Sequence, residues 1–135
     1  MSAGRRVLRA LLAGWWTVRA ARAVRSQLAR HALTPVVVPA VPASLAGSGP
    51  RAVEAVLRWR RAPCLERATV MQAWDLAHGR PRDVVVGVRG PASFGAHAWL
   101  DGAASGAGYT ELLRRPPTAL VVRGRARVRE SPRSR

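Results

Sequence analysis

The chain has no lysine, only seven acidic residues and a single cysteine, Cys64. One cysteine excludes an intramolecular disulfide and any zinc site built from a cysteine cluster. The three histidines, His31, His78 and His97, share no metal-ligand spacing, so neither a metal nor another cofactor is expected. No apolar run reaches the roughly 20 residues that a membrane span needs, and no internal repeat is visible.

What remains is 135 residues, one small domain with a modest core. Hydrophobic residues make up 48%, too many for a chain disordered by composition. The net charge of +16 is carried entirely by arginine and is unevenly spread. Residues 1–63 hold eleven arginines against one acid, Glu54. Residues 64–110 balance four arginines with four acids, and residues 111–135 set eight arginines against two. A neutral centre is thus flanked by two basic arms. A protein devoted to nucleic acid puts arginines on its folded core as well. The arms read as attachment surfaces and the centre as the place of chemistry. Salt-sensitive binding to nucleic acid in vitro is expected of such a charge, without specificity.

Residues 5–32 read as a helix, with Val7, Leu8, Leu11, Leu12, Trp15 and Val18 in one broad arc. Three readings compete for it. Arg5 and Arg6 ahead of an apolar stretch, then Ala-Arg-Ala, weakly resemble a signal peptide. The default is a helix packing its Leu/Trp face on the core. The third is a helix docking to a partner or a membrane surface. Residues 34–50 hold four prolines, which exclude helix and central strand and predict an extended connector. A short helix is expected over 51–61, stopped by Ala62-Pro63. A second, strongly apolar helix runs from about 64 to 78, with Gly79 as its C-terminal cap.

Residues 83–89, Asp-Val-Val-Val-Gly-Val-Arg, have the composition of a buried strand. Residues 96–101 form a second strand, where alternation puts His97 and Trp99 on one face and Ala98 and Leu100 on the other. A glycine-alanine-serine loop follows over 102–108. Residues 109–115 are of unclear type, 120–122 suit a third strand, and the tail from Arg123 is expected to be disordered.

Cys64 follows a proline and opens a helix. Unpaired N–H groups and the dipole at a helix N-terminus favour a thiolate and can hold an oxyanion. A nucleophile is the sharper reading; a buried structural cysteine is the plainer one. A strand histidine such as His97 is often only a half-buried side chain. Yet a helix-start cysteine, a valine-rich strand and a strand histidine follow the order of papain-like enzymes of the transglutaminase superfamily. Cys64 and His97 are 33 residues apart, enough for one helix and one strand between them.

Three segments carry a closer resemblance: Cys-Leu-Glu-Arg-Ala at 64–68, Arg-Asp-Val-Val-Val-Gly-Val at 82–88, and Phe-Gly-Ala-His-Ala-Trp-Leu at 94–100. Together they resemble the stand-alone B proteins of lasso-peptide biosynthesis, over about residues 60–101. The resemblance implies an α+β, papain/transglutaminase-like fold. Its catalytic helix packs on a small antiparallel sheet and is preceded by an arginine-rich N-terminal helix. It implies a division into a basic helix and connector (1–50), a cysteine peptidase domain (51–122) and a tail (123–135). It further implies a cytoplasmic peptidase that removes the leader from a ribosomally made precursor. Cys64 would attack the scissile carbonyl and His97 would move the proton. The implied partners are the lasso precursor peptide, a separate leader-recognition protein and an ATP-dependent macrolactam cyclase.

The family's third member is an aspartate about a dozen residues after the histidine, and residues 103–109 contain no acid. Three options stay open: Asp101, four residues after His97; Glu111, fourteen after it; or no acid at all. The competing functions are transfer of the acyl group to an amine, a degenerate member without activity, and a basic binding protein.

Overall fold

A computed structural model describes residues 1–30, 35–90 and 95–124. Helix α1 spans Ala3–Arg30. It contains no proline, and its alanine, leucine and arginine content gives it strong helix propensity, so it runs without interruption. Strand β1 (Val36–Pro39) follows in the proline-rich connector. Helix α2 (Arg51–Trp59) and helix α3 (Cys64–Ala77) come next. Strands β2 (Val84–Arg89), β3 (Gly95–Leu100), β4 (Thr110–Arg115) and β5 (Leu120–Arg123) complete the described chain.

The two ends of α3 are fixed by different residues. Pro63 stands before it in an extended conformation, with φ −57° and ψ 154°. At the other end Gly79 takes φ 76°, open to glycine at no steric cost. The Arg80 N–H reaches back to the Asp75 carbonyl at 2.8 Å and the Gly79 N–H to the Leu76 carbonyl at 3.2 Å. This is a Schellman cap, and it ends the helix where the sequence expects it to end. His78, the capping residue itself, sits on the Trp74 ring at 4.4 Å and lies 2.8 Å and 3.2 Å from the Trp74 and Leu45 carbonyl oxygens.

Two sheets result. One is three-stranded and antiparallel, in the order β3-β2-β4, and the other pairs β1 with β5 in parallel. In the first, Gly87 lies opposite His97 on one side and Glu111 on the other. The register slips between Val86–Leu113 and Gly87–Glu111, which leaves Leu112 as a bulge. The connector at 34–50 therefore contains a short strand, and of residues 109–115 all but Tyr109 form a strand as well.

The main core lies between α1, α2, α3 and the β1-β5 pair, with Trp16, Val24, Val36, Leu57, Val70 and Trp74 buried in it. The Trp16 and Trp74 rings meet at 5.6 Å. A smaller cluster of Ala68, Val84, Ala98 and Leu100 joins α3 to the antiparallel sheet. The α+β architecture with a helix on a small antiparallel sheet is as expected.

The packing of α1 corrects one expectation. Its core face is Ala13, Trp16, Thr17, Ala20, Ala21 and Val24. Of the arc expected to pack inward, Val7, Leu8, Leu11 and Trp15 are 58%, 66%, 66% and 53% exposed, while Leu12 and Val18 are half-buried and Leu12 packs against the core. Small side chains win the interface because they let the helices approach closely; even a Cβ on Gly14 would lie 3.4 Å from Val56. Gln27 then ties α1 to β1, accepting from the Val37 N–H at 2.7 Å and donating to the Val37 carbonyl at 2.6 Å.

Candidate active site

Cys64 is the first residue of α3 and is half-buried. The first main-chain bond of the helix runs from the Arg67 N–H to the Pro63 carbonyl at 2.9 Å. The N–H groups of Cys64, Leu65 and Glu66 precede it and have no intrahelical acceptor. They form the positive end of a 14-residue helix beside the sulfur, an arrangement that can hold a thiolate or an oxyanion. The Cys64 side chain packs against the cluster of Ala68, Val84, Ala98 and Leu100.

Glu66, in the same first turn, is 2% exposed. One of its carboxylate oxygens accepts from Arg25 Nε at 3.2 Å. A helix residue facing α1 is thereby pinned to it, and the orientation of the Cys64 turn is set by α1.

His97 lies in the middle of β3. The expected alternation holds: Ala98 and Leu100 are buried against α3, and His97 and Trp99 stand on the other face. There the His97 ring stacks on Trp99 at 5.7 Å and meets Tyr109 at 5.1 Å. Two glycines make room for this stack. A Cβ on Gly106 would come within 2.4 Å of Trp99 Nε1, and one on Gly87 within 2.7 Å of the Trp99 ring. The Arg89 guanidinium covers Tyr109 at 4.6 Å from its ring centre.

Among the described residues no hydrogen bond joins Cys64 Sγ to His97, and no carboxylate hydrogen-bonds the imidazole. Asp101 continues the β3 ladder, its N–H donating to the Asp83 carbonyl at 2.9 Å. It lies on the His97 face but about 13 Å further along the strand. Glu111 shares the His97 rung, separated from it by Gly87 and by two strand spacings, about 10 Å. Both candidate acids are engaged by Arg114, which donates to Asp101 Oδ2 at 2.8 Å and to both oxygens of Glu111. The Arg114 hydrogen bond is the main cause that lowers the Asp101 carboxyl below its ordinary value, and Glu111 is the leading partner that raises the Arg114 guanidinium.

Cys64 and His97 nevertheless border one cleft of about 480 Å³. Its lining takes His97 and Trp99 from one face of β3 and Ala98 and Leu100 from the other. The cleft therefore runs along the outer edge of β3, and the imidazole can approach the thiol only round that edge. Glu54 and Arg58 of α2 and Arg67 of α3 close the other side. Among the described residues no cluster of three or more His, Cys, Asp or Glu could hold a metal ion.

Sequence reading passed over two residues of the site. Tyr109 follows His97 by twelve positions, the spacing at which an acid was sought, and spacing alone could have singled it out. Arg114 gave no such signal, because the bulge at Leu112 puts it on the same face as Glu111.

The family model of the Transglutaminase-like superfamily matches residues 5–115. The chain belongs to that superfamily, whose members are often cysteine peptidases or transglutaminases. No curated protein and no solved structure matches it significantly. Among the described residues no helix is long and apolar enough to cross a membrane.

Proposed function

We propose that this protein is a cysteine peptidase that removes the leader from a lasso-peptide precursor. The observation that carries the reading is that Cys64, at a helix N-terminus, and His97 border the same cleft. Cys64 attacks the scissile carbonyl once its proton has passed to His97. The free N–H groups at the start of α3 receive the oxyanion. His97 then protonates the leaving amine, so the core peptide departs with a free N-terminus and the leader stays as a thioester. Water, deprotonated by His97, hydrolyses the thioester and restores the thiol.

The leader-recognition protein is the partner we assign to the exposed stripe of Val7, Leu8, Leu11 and Trp15 on α1. The stripe is bordered by Arg5, Arg6 and Arg9, which suits an acidic partner with an apolar groove. The released core passes to an ATP-dependent macrolactam cyclase. The working compartment is the cytoplasm, and no cofactor takes part.

A second reading is a degenerate member that holds the precursor without cutting it. It is favoured by the absence of a carboxylate on His97 among the described residues. Mass spectrometry separates the two. A lasso precursor is incubated with this protein and a leader-binding partner, beside Cys64→Ala. One cut at the leader–core junction, lost in the variant, establishes the peptidase. An intact precursor that still binds establishes the degenerate member.

A further inference from the structure

Glu66 is the third residue of α3, the position from which a glutamate completes a capping box by reaching back to the main-chain N–H of the capping residue. Here the capping residue is Pro63, which has no N–H, and no side chain caps the helix. The carboxylate is turned to α1 instead. Its Oε2 accepts from Arg25 Nε at 3.2 Å, and its Oε1 is buried with no hydrogen-bond partner among the described residues. Arg25 follows the buried Ala21 by one turn on α1, and its side chain is half-exposed. Glu66 does not line the cleft that Cys64 borders. The charged and titratable groups there are Glu54 and Arg58 of α2, Arg67 of α3, Arg82 and His97. A carboxylate so enclosed, with one charged partner and one idle oxygen, is unfavourable in itself.

We propose that Arg25 is a positioning residue: by holding the Glu66 carboxylate against α1, it keeps the N–H groups of Cys64, Leu65 and Glu66 free for the thiolate and the oxyanion. The proposal rests on the peptidase reading and specifies what keeps its oxyanion site open. Glu66 lies two positions after Cys64, on the opposite side of the helix, yet a glutamate at this position can bend across the helix end. Released from Arg25, its two oxygens would lack donors, and the unpaired N–H groups of its own turn could supply them. The carboxylate would then fill the oxyanion site. It would also set a negative charge beside the sulfur, which disfavours the thiolate. Arg25 prevents both, and an arginine suits the task because it stays charged at every working pH. It acts from an element that touches no reacting atom, 39 residues before Cys64 in the sequence.

The test uses the full-length protein and two readouts. One is cleavage of a lasso precursor peptide; the other is the rate at which iodoacetamide alkylates Cys64, the only thiol, at pH 7. Arg25→Met should lower kcat by about tenfold or more, with KM within about threefold of wild type, and should slow alkylation by about tenfold or more. Adding Glu66→Gln removes the charge that needs holding and should restore both readouts to within about threefold of wild type. A merely structural contact between the helices predicts the opposite, because the double variant lacks the ion pair as fully as the single one. A double variant as slow as Arg25→Met overturns the proposal. So does an Arg25→Met protein that keeps the wild-type rates.

Should Arg25→Met fail to fold, two variants at position 66 decide the matter. Glu66→Asp keeps the charge but shortens its reach, drawing it off Arg25 and toward the N–H groups of its own turn. It should be alkylated about tenfold or more slowly than Glu66→Gln. Equal rates in the two overturn the proposal. If the wild-type protein cuts no precursor, the peptidase reading has failed, and the alkylation rates alone decide the role of Arg25.

Discussion

The ring of Tyr109 lies 5.1 Å from that of His97, at the place where a carboxylate would be expected to orient the base. Asp101 and Glu111 are both tied to Arg114 instead. Asp101→Asn and Glu111→Gln should therefore keep kcat within about threefold of wild type, since neither carboxylate bonds the imidazole. Tyr109→Ala should lower kcat by about tenfold or more, while Tyr109→Phe, which keeps the ring, should not. Steady-state cleavage of the precursor peptide checks all four. A hundredfold loss in Asp101→Asn would make Asp101 the orienting acid.

Cys64→Ala should abolish cleavage, because no other thiol exists to form the acyl intermediate. His97→Ala should retain a residue of activity, reduced by about 10²–10⁴-fold, the usual contribution of a general acid–base. Single-turnover kinetics with the leader-binding partner present would measure both.

Two glycines hold the aromatic stack in place, and their substitution reads out its rigidity. Gly106→Ala would force a Cβ against the Trp99 indole, and Gly87→Ala would force one against the Thr110 carbonyl and the same ring. Each should destabilise the fold by about 1–3 kcal/mol, the range for overpacking. Thermal unfolding would show it.

Trp16 and Trp74 are both fully buried and meet at the centre of the main core. Trp16→Ala should cost about 3–5 kcal/mol, since α1 loses its largest anchor. Leu8→Asp together with Leu11→Asp, on the exposed stripe of the same helix, should leave unfolding unchanged within about 0.5 kcal/mol. The pair should weaken capture by the leader-recognition protein, measured by calorimetry.

Asp101 titrates below its ordinary value of 3.8, chiefly because Arg114 donates to it. A carboxyl depressed in the folded state stabilises the fold above its unfolded pKa and loses that effect as pH falls through the folded one. The Arg114 cluster should therefore be intact at neutral pH and come apart only below about pH 4. Carbon NMR of the Asp101 carboxyl would show an inflection below 3.8 that moves upward in Arg114→Ala.

The elements that position Cys64 and His97 were legible because each has a local cause. Pro63 starts α3, Gly79 ends it, and alternation in Ala-His-Ala-Trp separates the two faces of β3. The face that α1 buries was not legible. Val7, Leu8 and Leu11 are better apolar residues than Ala13, Ala20 and Ala21, but close approach to α2 and α3 selects small ones. The β1-β5 pair was not legible either, because Pro39 marks the segment as connector and nothing local announces a distant parallel partner. At the site, the residue beside His97 was hidden because a search for an acid overlooks a tyrosine at the same spacing.

The pairing of Val36 with Leu120 and of Val38 with Val122 has a consequence for the order of assembly. These contacts close a loop that contains α2, α3 and the whole antiparallel sheet. Loop closure of that length is slow and is repaid only after it is complete. During synthesis α3 and its sheet leave the ribosome before β5 does, while the floor under Val36 and Val38 is still missing. The thiol is thus made early and the core that steadies it is sealed later, by a segment that emerges after the helix and the sheet.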